Sequence, residues 1–270
     1  MRKAHEVDFQ LYGDDMQFVE IQLDPGESVV AEAGAMMYMS EGIEMDTIFG
    51  DGSAADEKKG FMDKMLGAGK RALAGESLFM TMFTNKAYDK KALAFAAPYP
   101  GKIIAKDLGD LGGELICQRD AFLCAAKGIQ IGIAFQKNIG AGLFGGEGFI
   151  MQRLVGDGLV FMHAGGTIIE KELAPGELLK LDTGCLVAMT PSVNYNVEFV
   201  GSVTSAFFGG EGLFLATLRG PGHVWLQSIP FSRFAGKIVA TAKKGSSSSK
   251  SKGESSLLGS IGIGDLFGRD

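Results

Sequence analysis

Histidine, cysteine and long apolar runs are scarce in this sequence, and each scarcity removes a class of function. The 3 histidines, His5, His163 and His223, stand far apart, whereas a metal site in an all-β barrel needs clustered His with a nearby Glu, so no metal is expected. No serine sits in a nucleophile elbow, and three dispersed imidazoles offer no evident base for a Ser or Cys nucleophile. No catalytic residue is assigned, and the chain is not expected to be an enzyme. The 3 cysteines, Cys117, Cys124 and Cys185, lie in apolar surroundings without paired short spacings, which excludes a disulfide framework or a zinc site. They read as reduced core residues rather than redox groups.

No stretch approaches the roughly 18 to 20 apolar residues of a spanning helix. The start, Met1-Arg2-Lys3-Ala4-His5-Glu6-Val7-Asp8, turns charged where a secretory signal needs an apolar segment. A soluble, cytoplasmic protein is expected, with peripheral membrane contact at most. The 26 Lys and Arg against 32 Asp and Glu give a net charge of -6, which disfavours a broad basic face for nucleic acid.

What the chain has in abundance is glycine, 40 of 270 residues, set in short clusters between apolar runs that bring the apolar share to 46%. Glycine supplies the positive φ that hairpin turns and bulges demand, so the pattern predicts many strands joined by tight turns. Leu23-Asp24-Pro25-Gly26-Glu27 returns as Leu173-Ala174-Pro175-Gly176-Glu177, an offset of 150 that also places Gly34 on Gly184, Met36 on Leu186 and Met39 on Met189. A third version starts at Gly112-Gly113-Glu114. A second motif recurs as Gly75-Glu76-Ser77, Gly146-Glu147-Gly148 and Gly210-Glu211-Gly212, and from Phe144 to Met162 against Phe208 to Leu226, 9 of 19 positions are identical. Glu114 to Glu177 spans 63 residues and Glu147 to Glu211 spans 64. A fixed period means one supersecondary unit repeated, each copy too small to bury its own apolar face.

Three β-units follow: 1–100, 101–167 and 168–242, each of four to six strands forming a sandwich or jelly-roll-like element. The first unit carries an insertion near 56–74 in which Phe61, Met65 and Leu66 alternate with lysines, predicting a short amphipathic helix. It either caps the β-body or docks a partner or an anionic membrane. Residues 243–270 read as a flexible Ser/Lys linker and an apolar tail holding Leu257, Leu258, Ile261 and Phe267. That tail packs on the body, binds a partner or stays mobile.

The recurring carboxylates Glu27, Glu114 and Glu177, with Glu76, Glu147 and Glu211, are expected to bond backbone amides at turns, the alternative being a ring of interface carboxylates. Gly140-Ala141-Gly142-Leu143-Phe144-Gly145 matches a dinucleotide fingerprint, but it leads into a strand rather than a helix, so a hairpin connection is expected and no cofactor.

On these Pro-Gly-Glu and Gly-Glu-Gly motifs the chain resembles, over about residues 5 to 235, the family of the yeast protein named for altered inheritance of mitochondria, the twenty-fourth so named. That resemblance implies an all-β fold similar to the tryptophan RNA-binding attenuation protein: short double-stranded β-helix units, three around a pseudo-threefold axis, in a chain that assembles into homo-oligomeric rings, with a trimer favoured. It transfers neither RNA binding, since no Lys/Arg cluster recurs in the units, nor any catalytic residue. The expected function is a non-enzymatic ring scaffold with an unknown protein partner. The alternatives are a small-molecule or nucleic-acid binding module using clefts between units or subunits, and an enzyme with an acid–base pair among the repeated glutamates.

Overall fold

The structure, a computed structural model, describes residues 2–32, 34–49, 79–97, 99–137, 149–199 and 214–247. The chain divides into two compact units, Met1–Arg233 and Phe234–Asp270. The first holds β1 (Asp8–Tyr12), β2 (Phe18–Leu23), β3 (Ser28–Glu32), β4 (Met36–Met39), β5 (Ile43–Phe49), β6 (Phe79–Asn85) and β7 (Lys91–Ala96). Then come β8 (Gly101–Asp107), β9 (Glu114–Gln118), β10 (Phe122–Ala126), β11 (Gln130–Lys137), β12 (Phe149–Val155) and β13 (Leu159–Gly165). The last group is β14 (Ile168–Leu173), β15 (Leu178–Asp182), β16 (Leu186–Met189), β17 (Asn194–Phe199), β18 (Phe214–Arg219) and β19 (Gly222–Gln227), followed by one helix, α1 (Phe231–Ser247). Among the described residues the chain is all-β apart from α1 and three short 3-10 turns.

The strands form four sheets, ordered β1-β2-β7-β4, β5-β6-β3-β10-β13-β8, β11-β12-β9-β16-β19-β14 and β15-β18-β17. Three apolar clusters fill the spaces between successive sheets. Ile21, Leu93 and Phe95 of the first sheet meet Val29, Phe83 and Phe161 of the second. The other face of the second sheet, with Val30, Ala125 and Met162, meets Leu115, Cys117, Leu154 and Trp225 of the third. Phe149, Met151 and Val224 of the third sheet then meet Leu218 of the fourth, with Leu179 and Leu181 packed against them.

This layering explains the sequence patterns. Strands covered on both faces read as unbroken apolar runs, as in Phe122–Ala126 and Leu186–Met189, every residue of which is buried. The outer strand β2 alternates half-buried and buried positions along Phe18–Leu23, the period of two that one covered face imposes. Gly26 and Gly176 take φ of +86° and +81° in the two Pro-Gly turns, a left-handed conformation that side chains disfavour.

The helix expected near 56–74 falls outside the described residues. The helix that the structure does describe starts twelve residues before the boundary drawn at 242/243 and crosses it, so the end of the third segment and the start of the linker are one element. Ser, Gly and Lys at its far end signalled a linker, while Phe231, Phe234 and Ile238, spaced three and four apart, drive a helix upstream of them. Among the described residues no helix is long and apolar enough to cross a membrane.

Candidate functional site

The repeated glutamates occupy two different environments. In the first Pro-Gly turn the Asp24 amide donates to Glu27 Oε2 at 2.8 Å, and in the other the Ala174 amide donates to Glu177 Oε2 at 2.8 Å. Each carboxylate thus closes its own turn from three residues away. Glu114 stands one position later, on the first residue of β9 opposite Val155. Its carboxylate takes a two-pronged contact from the Arg153 guanidinium, 2.6 Å from Nε and 2.5 Å from Nη2, and the corresponding turn is made by Gly112 and Gly113 at φ of +79° and +89°. Glu76, Glu147 and Glu211 lie outside the described residues, as do Phe61, Met65, Leu66, Leu257, Leu258, Ile261 and Phe267.

His163 and the half-buried Glu32 are titratable groups shifted far from their ordinary range. His163 is buried with its ring edge-on to Tyr99 at 4.5 Å, and burial pulls its pKa down to about 4. Glu32, at the end of β3, is pushed up to about 7 by burial and then by the Asp120 carboxylate, against the pull of Arg119. Neither was singled out by motif, because a lone His or Glu in a strand carries no spacing signal. Cys117 and Cys124 are buried and their thiols are pushed well above the usual range by desolvation; Cys185 is half-buried and shifted the same way.

A polar recess of about 330 Å³ is lined by Arg2, His5, Glu6, Asp8, Asp24 and Glu27 among others. His5 Nδ1 already accepts from the Ser28 amide at 2.8 Å, and its own amide donates to Lys127 O at 2.9 Å. Both groups are therefore engaged in fixing the amino-terminal segment. Among the described residues no three His, Cys, Asp or Glu side chains gather as metal ligands.

The feature that stands out chemically is a pair of open sheet edges. Strand β10 lies between β13 and β3, and β16 lies between β19 and β9. Strand β4 pairs with β7 on one side in the same way, with the same one-residue bulge: Met36/Tyr38 in β4, Phe122/Cys124 in β10 and Leu186/Ala188 in β16. Its outer side ends the first sheet. The effect on burial is large: β10 and β16 are wholly buried, whereas Met37, Tyr38 and Met39 are 55%, 38% and 39% exposed. Strand β15, at the end of the fourth sheet, shows the complementary deficit. It has only exposed and half-buried positions where β3 is almost wholly buried, and Leu178 is 51% exposed. Sequence reasoning aligned Met36 and Met39 with buried residues elsewhere but had no signal that, among the described residues, this strand lacks an outer neighbour.

A family model described as mitochondrial biogenesis AIM24 matches residues 9–229. An uncharacterized protein of Streptococcus pyogenes serotype M6 is 33% identical over 229 residues, 83% of this chain and 86% of that protein. A Streptococcus pyogenes protein whose crystal structure was determined as a structural-genomics target superposes with a TM-score of 0.68 at 26% identity, covering 87% of this chain and 100% of that one.

Proposed function

This chain belongs to the AIM24 family, and from that premise we propose that it is a cytoplasmic, non-enzymatic scaffold of three like β-units whose copies join edge to edge into a closed trimeric ring. Support for three units comes from the ladders. The pairs β2–β7, β8–β13 and β14–β19 correspond, as do β3–β6, β9–β12 and β15–β18, and β5–β6, β11–β12 and β17–β18. Neighbouring units share a sheet through β3–β10 and β9–β16. By the same rule β15 requires a strand like β4, which within one chain lies at the far end of the order.

The observation that carries the proposal is the exposure of Met37, Tyr38 and Met39 where both equivalent strands are wholly buried. An apolar edge with unpaired amides invites another strand, and head-to-tail contacts between identical copies close into a ring when the rotation permits. The register follows from Cys124↔Ala31 and Ala188↔Cys117: Leu181 of one copy opposite Tyr38 of the next.

The test is the mass in solution, by light scattering, together with a cross-link. Three times the 28.5 kDa chain mass is expected, and Leu181→Cys with Tyr38→Cys should give disulfide-linked oligomers on mild oxidation, while Leu181→Cys with Met37→Cys should link far less. A protein of single-chain mass at micromolar concentration would refute the ring. Oligomers that ignore the designed register would refute this edge pairing.

A further inference from the structure

We propose that α1 is an interfacial helix that seats the protein on an anionic lipid bilayer. At about 100° per residue, Phe231, Phe234, Ala235, Ile238 and Val239 fall within an arc of about 140°, while Ser232, Arg233, Gly236, Lys237 and Thr241 occupy the remainder. The apolar arc faces solvent, with Phe234, Ile238 and Val239 exposed by 37%, 56% and 51%. The first turn is held to the body: Phe231 lies 5.0 Å from the Tyr99 ring, and Arg233 Nη2 donates to Asp182 Oδ2 at 2.9 Å.

Charge selects the occupant of this face. From Phe231 to Lys252 the sequence holds Arg233, Lys237, Lys243, Lys244, Lys250 and Lys252 and no acidic residue. The whole chain has 26 cationic and 32 acidic side chains, so with these six set aside the remainder has 20 against 32. One segment is thus strongly cationic in an otherwise acidic protein. A cationic polar face opposite an exposed Phe/Ile/Val face is the physical signature of a helix lying in the headgroup region, its apolar side sunk toward the acyl chains and its lysines paired with lipid phosphates. Nucleic acid would use the cations and leave the apolar arc in water. At about 1.5 Å per residue, the 17 residues of α1 make a rod suited to lying along the surface. An anionic surface would repel the acidic body while drawing in this segment, which fixes which end of the chain approaches.

The experiment is flotation of the full chain with vesicles of phosphatidylcholine alone or of equal parts phosphatidylcholine and phosphatidylglycerol. The protein is expected to float with the anionic vesicles only, and to be released several-fold as salt rises from 0.05 to 0.5 M, since screening shortens the reach of each lysine. Phe234→Ser with Ile238→Ser should lower the partition coefficient at least tenfold without changing circular dichroism or mass in solution, and Lys237→Glu should lower it roughly tenfold. No flotation, equal flotation with neutral vesicles, or undiminished binding by the double variant would each overturn the proposal. A change of mass in that variant would overturn it as well, by placing the face between copies or against another protein. Because flotation and mass are separate readings, failure here leaves the ring untouched, and failure of the ring leaves this outcome unchanged.

Discussion

His163 and Glu32 titrate in opposite senses, and the pH dependence of stability follows from that pair. The imidazole has an ordinary pKa of 6.5 and about 4 in the fold, so the unfolded chain takes up a proton that the folded one refuses. Its contribution is complete above pH 6.5 and declines as pH falls, by roughly 3 kcal/mol at pH 4. The Glu32 carboxyl goes from 4.5 to about 7; the unfolded chain releases its proton first, so stability declines as pH rises from 4.5 toward 7, by a similar roughly 3 kcal/mol at most. Between these limits the two nearly cancel. Glu32→Gln should therefore be more stable than the native protein at pH 7.5 and lose stability steadily on acidification, measured by urea midpoints at pH 7.5, 6 and 5. An unchanged midpoint at pH 7.5 would remove Glu32 from the explanation. Gly101 offers a second single-residue test, because a Cβ there would lie 2.6 Å from His163 Nε2 and 2.2 Å from the Ala164 carbonyl oxygen. Gly101→Ala should cost about 1–3 kcal/mol of stability through overpacking, seen as a lower Tm.

At the scale of single elements, the Pro-Gly turns carry matching carboxylates and matching predictions. Glu27→Ala and Glu177→Ala each free a turn amide, at a cost of about 1 kcal/mol in denaturant unfolding, with Gln at either position recovering part of it. Glu114→Ala instead releases Arg153 at the surface and should change stability by well under that. This difference marks how far the sequence was legible. Strands and turns were, because alternation, apolar runs and Pro-Gly pairs act locally. The one-residue offset of Glu114 was not, since Gly112 and Gly113 make a turn without a carboxylate and the shared letter E hid the slip. Helix α1 was obscured by the Ser/Lys composition that follows it. The open edges of β4 and β15 were invisible for a deeper reason: whether a strand has an outer neighbour is a property of the assembled sheets, and Met36–Met39 is as apolar as the buried runs it aligns with.

Across the whole molecule, the middle two sheets each serve two apolar clusters, one on either face. β3 joins β10 and β9 joins β16, so the strands that would delimit one part of the chain are hydrogen-bonded into the next. Such a body offers no seam along which it could be tailored. A chain ended after Gly166 would strip one flank from β9 and leave Phe149 and Met151 facing water, and is expected to be insoluble rather than a shorter working protein. Calorimetry of the intact chain should show the four sheets melting in one event rather than layer by layer. Damage to any layer is felt by all four, and a lineage carrying this fold can change its surfaces piecemeal but cannot shorten its interior without baring an apolar layer to water.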